Sequence, residues 1–460
     1  MNQEKFGLNE IPPTLVAAPP SNAMRLGPPP TGPSATVRRY LAAPVRAIAA
    51  ITWDSRAGNR SFALVIWASI ALVIIPEIIN HLILKHVPDL SIEKALISAE
   101  SPLANLSRWA FSGILLVISS IVAFRPGHPN RDITWLLVFL LALNVPHIIG
   151  LEAPGKADLI KLVAANIVLV AIWNTGARVA ELKWIPILAS CVGAYSIIGG
   201  FIIPEYMMYN IVSRKSLIGG WELAGPFGQS NSLGLYCSIS FTLVPLIPKK
   251  RWRTICALIL LATTIASASR SSVTASLFVL LWWAIASLRP AISIRLVGTF
   301  LAILAMSAAF VMPLLNWAPD KFTGRALIWA ESLLIWQKSP IVGVGFNWFQ
   351  TTAQWAAETV VWAGPGTGHN ILVDNLVKTG LAGVATLMAI WIPSIFAVRA
   401  TRVANEQIAL FGFLIGYFVL AMTEASWSLW PNIQQFPTSG LIFATLLLTR
   451  DRVHAVKGVP

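Results

Sequence analysis

The sequence predicts an all-α protein that crosses a membrane about twelve times, and three observations support this prediction. Of the 460 residues, 56% are apolar and only 12% carry a charge, whereas soluble domains carry roughly 25% charged residues. Apolar stretches recur from residue 62 to residue 449. Lys and Arg gather on alternate connections between these stretches, as they do in polytopic membrane proteins. This composition excludes a large soluble enzyme and a disordered regulator.

Each apolar stretch approaches the roughly 20 residues that a helix needs to cross the hydrocarbon layer. In chain order, the predicted spans are 62–84, 108–124, 133–151, 158–174, 184–204, 232–247, 254–269, 271–288, 292–314, 370–398, 407–424 and 432–449. They define a transmembrane domain over 61–450, which follows a Pro-rich tail (1–60) and precedes a short tail (451–460). The Pro-rich tail is expected to be disordered. It lacks the pattern of a cleaved signal peptide, so the first span is expected to act as the insertion signal.

The positive charges orient the spans. With the N-terminus in the cytoplasm, 22 of the 34 Lys and Arg residues fall on the inner side, in agreement with the positive-inside rule. This distribution requires an even number of spans, so both tails are predicted to be cytoplasmic. Two long loops, 205–231 and 315–369, then lie outside, and long loops often carry function.

Several classes of site are disfavoured. The net charge of +14 would suggest nucleic acid in a soluble protein, but cytoplasmic loops account for it here, and no nucleic-acid partner is expected. The sequence has no nucleotide-binding fingerprint and no His, Cys or Asp cluster with metal-ligand spacing. We therefore expect neither a cofactor nor a metal ion. The three cysteines, Cys191, Cys237 and Cys256, lie in apolar spans and are expected to pack as small apolar residues.

Three residues on the predicted outer side have the chemistry of anion binding. Arg270 lies among small hydroxyl residues in a tight turn, and Arg325 follows Gly324 at the start of an amphipathic stretch. His369 follows a Gly-rich segment and directly precedes a span, near a helix N-terminus. Helix N-termini attract anions, and Arg suits bidentate contacts with phosphate. The three residues together suggest a diphosphate site. For either Arg taken alone an interfacial anchor is the more common role, and Arg270, in its tight turn, fits that role least well.

Two further features belong to the outer side. Residues 325–338 place Trp329, Leu333 and Trp336 at helical spacing, which predicts a helix that lies in the membrane interface. The outer end of span 370–398 contains Asp374 and Lys378, and ionisable residues at such depth are functional candidates. Lys378 could instead extend its amine to the water boundary.

Four segments together resemble the bacterial O-antigen ligase and polymerase family, and they occur in the family's order. They are the Gly-rich segment Gly225–Gly234, the Ser-Arg turn Ser269–Ser271, the loop stretch Gly324–Trp329 with Ser339–Phe346, and the His-Asn motif Gly368–Leu372 with Gly380–Gly383. The resemblance covers about residues 225–390.

The resemblance implies a GT-C-like membrane glycosyltransferase. Such an enzyme takes a glycan from an undecaprenyl-diphosphate carrier and passes it, without a metal ion, to an acceptor on the outer face of the bacterial inner membrane. Its partners would be the lipid-linked donor, a glycan or lipid-glycan acceptor, and membrane lipid. It further implies that Arg270 and Arg325 bind the diphosphate and that His369 acts at the reaction centre, as a base or as a diphosphate ligand. Candidate substrate-binding residues are Arg214, Lys215, Asn231, Asn370 and Lys378.

The sequence departs from the family pattern at three positions. Glu222 stands where the family often has Arg, Ser230 replaces a Pro, and Lys378 replaces an acidic residue. The third cationic contact of the donor is therefore open. Motifs do not separate a ligase from a polymerase of lipid-linked repeats. A flippase for the same lipid-linked glycan is a further alternative, but it would be expected to have polar residues through the depth of several spans.

Overall fold

A computed structural model describes residues 55–84, 101–125, 133–149, 156–176, 178–210, 220–288, 293–351, 366–425 and 439–448. All of them belong to one compact unit that extends from Trp53 to Pro460. Most of the predicted tails at 1–60 and 451–460, and the predicted ligands Arg214 and Lys215, lie outside the described residues.

The described chain is predominantly α-helical, and every predicted apolar span contains a helix. The helices are α1 (Ser55–Ile83), α2 (Pro102–Phe124), α3 (Thr134–Ile149), α4 (Lys156–Thr175), α5 (Trp184–Ile202), α6 (Ser230–Thr242), α7 (Lys250–Ala266), α8 (Arg270–Ser287), α9 (Ile294–Val311), α10 (Arg325–Trp336), α11 (Ile371–Ala400), α12 (Ala404–Ala421) and α13 (Gly440–Leu448). Single turns of helix occur at Val179–Lys183, Pro204–Met207, Val244–Leu246, Met312–Leu314 and Trp348–Thr351. A polytopic membrane protein is the class that these elements define.

Seven helical segments among the described residues are long and apolar enough to cross a membrane. Two shorter apolar helices, Thr134–Val145 and Leu162–Thr175, lie in the third and fourth predicted spans. The helix of the sixth predicted span, α6, has 13 residues, fewer than the roughly 20 needed to cross a bilayer alone. Twelve crossings and the GT-C-like arrangement therefore stay predictions.

The loop predicted to lie outside at 205–231 contains a small β-ribbon, which the all-α prediction did not include. Strands β1 (Met208–Asn210) and β2 (Trp221–Leu223) pair antiparallel, with Tyr209 opposite Glu222. The ribbon leads directly into the Gly-rich segment. The amides of Ala224 and Gly225 both donate to the Met207 carbonyl at 2.9 Å, which ties the start of this segment to the first strand.

Helix α12 forms the centre of the molecule. Its residues are buried almost without interruption from Ala409 to Ala421. It packs against α6, α8, α9 and α11. A helix that is apolar on all sides suits such a central position. The consequence for the site is that the residues just after α12 meet the N-terminal ends of α8, α10 and α11.

Helix α11 is broken at Gly380, which has φ 63° and ψ −160°. The residues after the break donate to the loop 315–369 instead of to their own helix: Leu381 N–H to the Pro340 carbonyl at 2.9 Å, and Ala382 N–H to the Ile341 carbonyl at 3.0 Å. The loop segment Ser339–Phe346 is thereby joined to the helix that follows His369. Two of the four family-like segments are thus held together by backbone hydrogen bonds.

The amphipathic stretch after Gly324 is helical, as predicted, but its aromatic stripe is not uniformly exposed. Trp329 is only 1% exposed and packs against Phe322, with ring centroids 5.3 Å apart. Helix α10 therefore uses this tryptophan as an internal contact with the loop before it, and the position of the helix in the membrane interface stays a prediction.

Candidate active site

Arg270 and Arg325 each occupy the first position of a helix. Arg270 is exposed and begins α8 after Ser269. Arg325 begins α10 after Gly324, which has φ 80° and supplies no side-chain cap. The unpaired amides of a first helical turn and the helix dipole favour an anion. Each Arg therefore adds its charge to a helix end that already favours negative groups.

Backbone strain is concentrated beside these residues. Within the described chain, every non-glycine residue with positive φ lies within three positions of Arg270 or Arg325, or is the predicted catalytic histidine. They are Ala268, Phe322, Thr323 and His369, with φ between 46° and 63°. A non-glycine residue in this conformation costs about 1–3 kcal/mol and tends to occur at functional sites.

His369 lies at the N-terminal end of α11. The amide of Gly368 donates to Asp374 Oδ1 at 2.9 Å, and the amide of His369 donates to Thr367 Oγ1 at 3.3 Å. Both ring nitrogens are buried and form no hydrogen bond with the residues that the structure describes. Since buried polar atoms are normally paired, the imidazole has hydrogen-bonding capacity available for a ligand.

Glu424 brings the three segments together. Its Oε1 lies 2.9 Å from Arg325 Nη2, and its Oε2 lies 3.9 Å from His369 Nδ1. Ser271, the neighbour of Arg270, donates from Oγ to Oε1 at 3.4 Å. The N-terminal ends of α8, α10 and α11 therefore meet around one carboxylate at the end of α12.

The electrostatics of this cluster favour ionised Glu424. Its side chain is 18% exposed. Burial by itself would raise the pKa of this carboxyl group, but the charge of Arg325 and the contact with His369 outweigh burial and hold the pKa below its ordinary value of 4.5. Glu424 is therefore an anion that is paired with Arg325 and surrounded by helix N-termini.

Asn370 is fully buried and all four of its hydrogen-bonding positions are used within the chain. Its Oδ1 caps α11 by accepting from the amides of Leu372 and Val373. Its Nδ2 donates to the carbonyls of Ala309 at 2.9 Å and Met422 at 3.0 Å. These bonds hold His369 beside the end of α12, and substrate contact by Asn370 stays a prediction.

Lys378 is paired with an acid of its own helix. Its Nζ lies 2.9 Å from Asp374 Oδ2 and 5.7 Å from the ring centre of Phe349. The other oxygen of Asp374 holds the amide of Gly368. Lys378 thus neutralises the carboxylate that anchors the His369 loop, and direct substrate binding by Lys378 stays a prediction.

The remaining predicted ligands are less constrained. Asn231 is the second residue of α6 and is half-buried. Next to it, Ser230 donates to Glu222 Oε2 at 2.7 Å, so two of the departures from the family pattern form one hydrogen bond. A binding role for Asn231 stays a prediction, as do those of Arg214 and Lys215. Among the described residues, no group of three His, Cys, Asp or Glu side chains could hold a metal ion.

Sequence reasoning missed Glu424, although a signal for it was present. Glu424 is the last residue of the predicted span 407–424, and an ionisable residue at the end of an apolar span is a functional candidate. The same rule identified Asp374 and Lys378. What the sequence could not provide was the pairing, because Glu424 lies 99 positions after Arg325.

Parts of the chain are similar to known proteins. Residues 255–388 match the family model described as O-antigen ligase. The match includes Arg270, Arg325, His369 and both sides of the break in α11. The resemblance to the O-antigen ligase and polymerase family is therefore confirmed.

A particular relative is similar as well. The exopolysaccharide production protein ExoQ of Rhizobium meliloti (strain 1021) is 26% identical over an alignment of 259 positions, which covers 50% of this chain and 60% of that protein. The chain thus spans about three fifths of the length of this curated relative.

Proposed function

We propose that this protein is a membrane glycosyltransferase that moves a glycan from an undecaprenyl-diphosphate carrier to an acceptor on the outer face of the bacterial inner membrane. One observation carries the proposal: Arg325, His369 and the Ser271 hydroxyl beside Arg270 converge on a single carboxylate, Glu424. A pocket that holds one carboxylate with these groups has the chemistry to hold a diphosphate, which is a larger and more highly charged anion.

The reaction needs two kinds of assistance. Negative charge develops on the diphosphate as it leaves, and preorganised cations and helix ends stabilise such charge. Arg270, Arg325 and the N-terminal turns of α8 and α10 would supply this stabilisation without a metal ion. The acceptor hydroxyl must also lose a proton. His369 can take it, or can support the leaving diphosphate as a cation.

The acceptor defines two versions of the activity. In a ligase, one glycan passes to a separate lipid-glycan acceptor, as the name of the matching family model suggests. In a polymerase, one lipid-linked repeat passes to another. The relative named for exopolysaccharide production favours extension of a polysaccharide. The length distribution of the product separates the two, because a ligase adds one glycan and a polymerase gives a ladder.

Topology tests the predicted side of the site. A cysteine at position 340, in the outer loop, should react with a membrane-impermeant reagent added to intact cells, and a cysteine at position 250 should not. The opposite pattern would contradict the proposed outer-face site.

In a deletion strain, the glycan-loaded carrier should accumulate in the outer leaflet. Accumulation in the inner leaflet would favour the flippase alternative.

A further inference from the structure

The two oxygens of Glu424 serve different groups. Oε1 is in direct contact with Arg325 Nη2 at 2.9 Å, whereas Oε2 is 3.9 Å from His369 Nδ1. The second distance is about 1 Å longer than a hydrogen bond between these atoms. In the structure, the carboxylate is therefore bound to the arginine and directed towards the histidine without yet bonding to it.

A diphosphate bound at this site would compete with Glu424. Both are anions, and both would use the guanidinium of Arg325. Once the diphosphate occupies Arg325, the two anions repel each other, and the carboxylate needs another partner because it is mostly buried. Among the residues that the structure describes, His369 Nδ1 is the cation-forming group that Oε2 already faces.

We propose that Glu424 is a positioning residue that exchanges partners when the donor binds, from Arg325 in the empty site to His369 in the loaded site. This inference rests on the proposed glycosyl-transfer function. With Nδ1–H held by the carboxylate, the lone pair of the imidazole is on Nε2, which selects Nε2 as the base for the acceptor.

The transfer step then balances in atoms and charge. The acceptor hydroxyl gives its proton to His369 Nε2, and its oxygen forms a bond to the anomeric carbon of the glycan. The bond between that carbon and the diphosphate oxygen breaks, and its electron pair leaves with the carrier diphosphate. The resulting imidazolium is stabilised by the Glu424 carboxylate at Nδ1, as a carboxylate stabilises histidine in a catalytic triad.

The exchange makes a distinctive prediction for Glu424→Gln: turnover should fall although donor binding does not weaken. Loss of the competing charge should leave the Kd of a polyprenyl diphosphate unchanged or lower it. Removal of one unit charge about 4 Å from the ligand, at the dielectric of water, would lower the Kd by about fivefold. Loss of the group that orients the base should lower kcat by about 10²–10³-fold. Glu424→Asp, which keeps the charge but shortens the side chain, should recover part of kcat.

The experiment measures Kd by tryptophan fluorescence and kcat by product formation, with the full-length protein in detergent. Glu331→Gln is the matched control, because Glu331 is a half-buried acid on the same helix as Arg325, and it should change neither quantity by more than about twofold. In a His369→Ala background, Glu424→Gln should cost no further turnover, since coupled residues are not additive.

Two outcomes would overturn the inference. If Glu424→Gln weakens polyprenyl-diphosphate binding and lowers kcat together, Glu424 only braces Arg325. If its kcat equals that of the wild type, Glu424 does not act through His369. If the Gln variant fails to fold, the test uses Glu424→Asp instead. Wild-type kcat in this variant would contradict the exchange, and so would weaker donor binding together with a lowered kcat. Failure of the proposed function itself would be distinct, because the wild type would then neither bind the diphosphate nor transfer a glycan.

Discussion

Replacement of Asn370 tests whether the site is held together as the structure indicates. The carbonyl of Ala309 lacks a partner within its own helix, because the residue four positions later is Pro313, which has no N–H. The side chain of Asn370 supplies the missing donor at 2.9 Å and also bonds the Met422 carbonyl at 3.0 Å. One side chain thus ties together the ends of α9, α11 and α12.

The cost of removing this side chain can be added up from its bonds. Asn370→Ala loses the helix cap, worth about 1 kcal/mol, and two buried hydrogen bonds, worth about 1 kcal/mol each. We expect a loss of about 3 kcal/mol in the free energy of unfolding. Asn370→Ser can keep the cap but not the two bridging bonds, and should lose about 2 kcal/mol.

The assay is unfolding by SDS in mixed micelles, with Asn375→Ala as the matched control. The Asn375 amide donates only to Ile371 in its own helix, at 2.7 Å, among its observed bonds, and its loss should cost less than about 1 kcal/mol. If Asn370→Ala and Asn370→Ser are as stable as the control, the bridge contributes nothing and the reasoning is refuted. Both variants should also lose transfer activity, since the bridge ends two residues before Glu424.

Three further predictions concern the break in α11, the arginines and pH. Gly380→Ala should abolish folded protein in membranes, because its Cβ would overlap the Ile341 carbonyl group. Gly113→Ala, with nothing within 4 Å of its new Cβ, should accumulate normally by immunoblot. Arg325→Lys and Arg270→Lys should each lower turnover by about 10²–10³-fold, because Lys keeps the charge but lacks the planar fork; near-normal rates would reduce their role to charge alone. The lowered pKa of Glu424 stabilises the folded state above its ordinary value of 4.5, and this stabilisation is lost as pH falls through the lower folded value. Glu424→Gln should therefore flatten the fall of the unfolding temperature as pH drops below 4.5, and an unchanged profile would contradict the ion pair.

Much of the fold could be predicted because membrane helices leave a strong record in the sequence. A helix in lipid must satisfy its own backbone and be apolar over about 20 residues, so each of the twelve predicted stretches corresponds to a helix. The β-ribbon at Met208–Asn210 and Trp221–Leu223 was missed because strands of three residues carry no detectable periodicity. The break at Gly380 was missed because its hydrogen-bonding partners, Pro340 and Ile341, come from a distant loop.

The site was only partly predictable for the same reason. Arg270, Arg325 and His369 stood out because local sequence placed them at helix N-termini. Their convergence depends on tertiary contacts through Glu424, and the strained conformations at Phe322 and Thr323 have no local signature, since neither is a residue that favours positive φ. Lys378 looked available to a substrate. Its partner Asp374 lies one helical turn away, but this spacing alone does not decide whether the amine pairs with Asp374 or extends into water.

A carrier-and-acceptor assay with the purified protein tests the central claim most directly. The donor is an undecaprenyl-diphosphate-linked glycan, the buffer contains EDTA, and the readout is the glycan on the acceptor. We predict transfer by the wild type and by Arg295→Ala, a control in which an exposed arginine in the first turn of α9 is removed. We predict loss of transfer by at least about 10²-fold in His369→Ala and in Arg325→Ala, with protein level and folding unchanged. Normal transfer by a well-folded His369→Ala variant would contradict the account, as would wild-type protein that moves the lipid-linked glycan across a bilayer without transferring it.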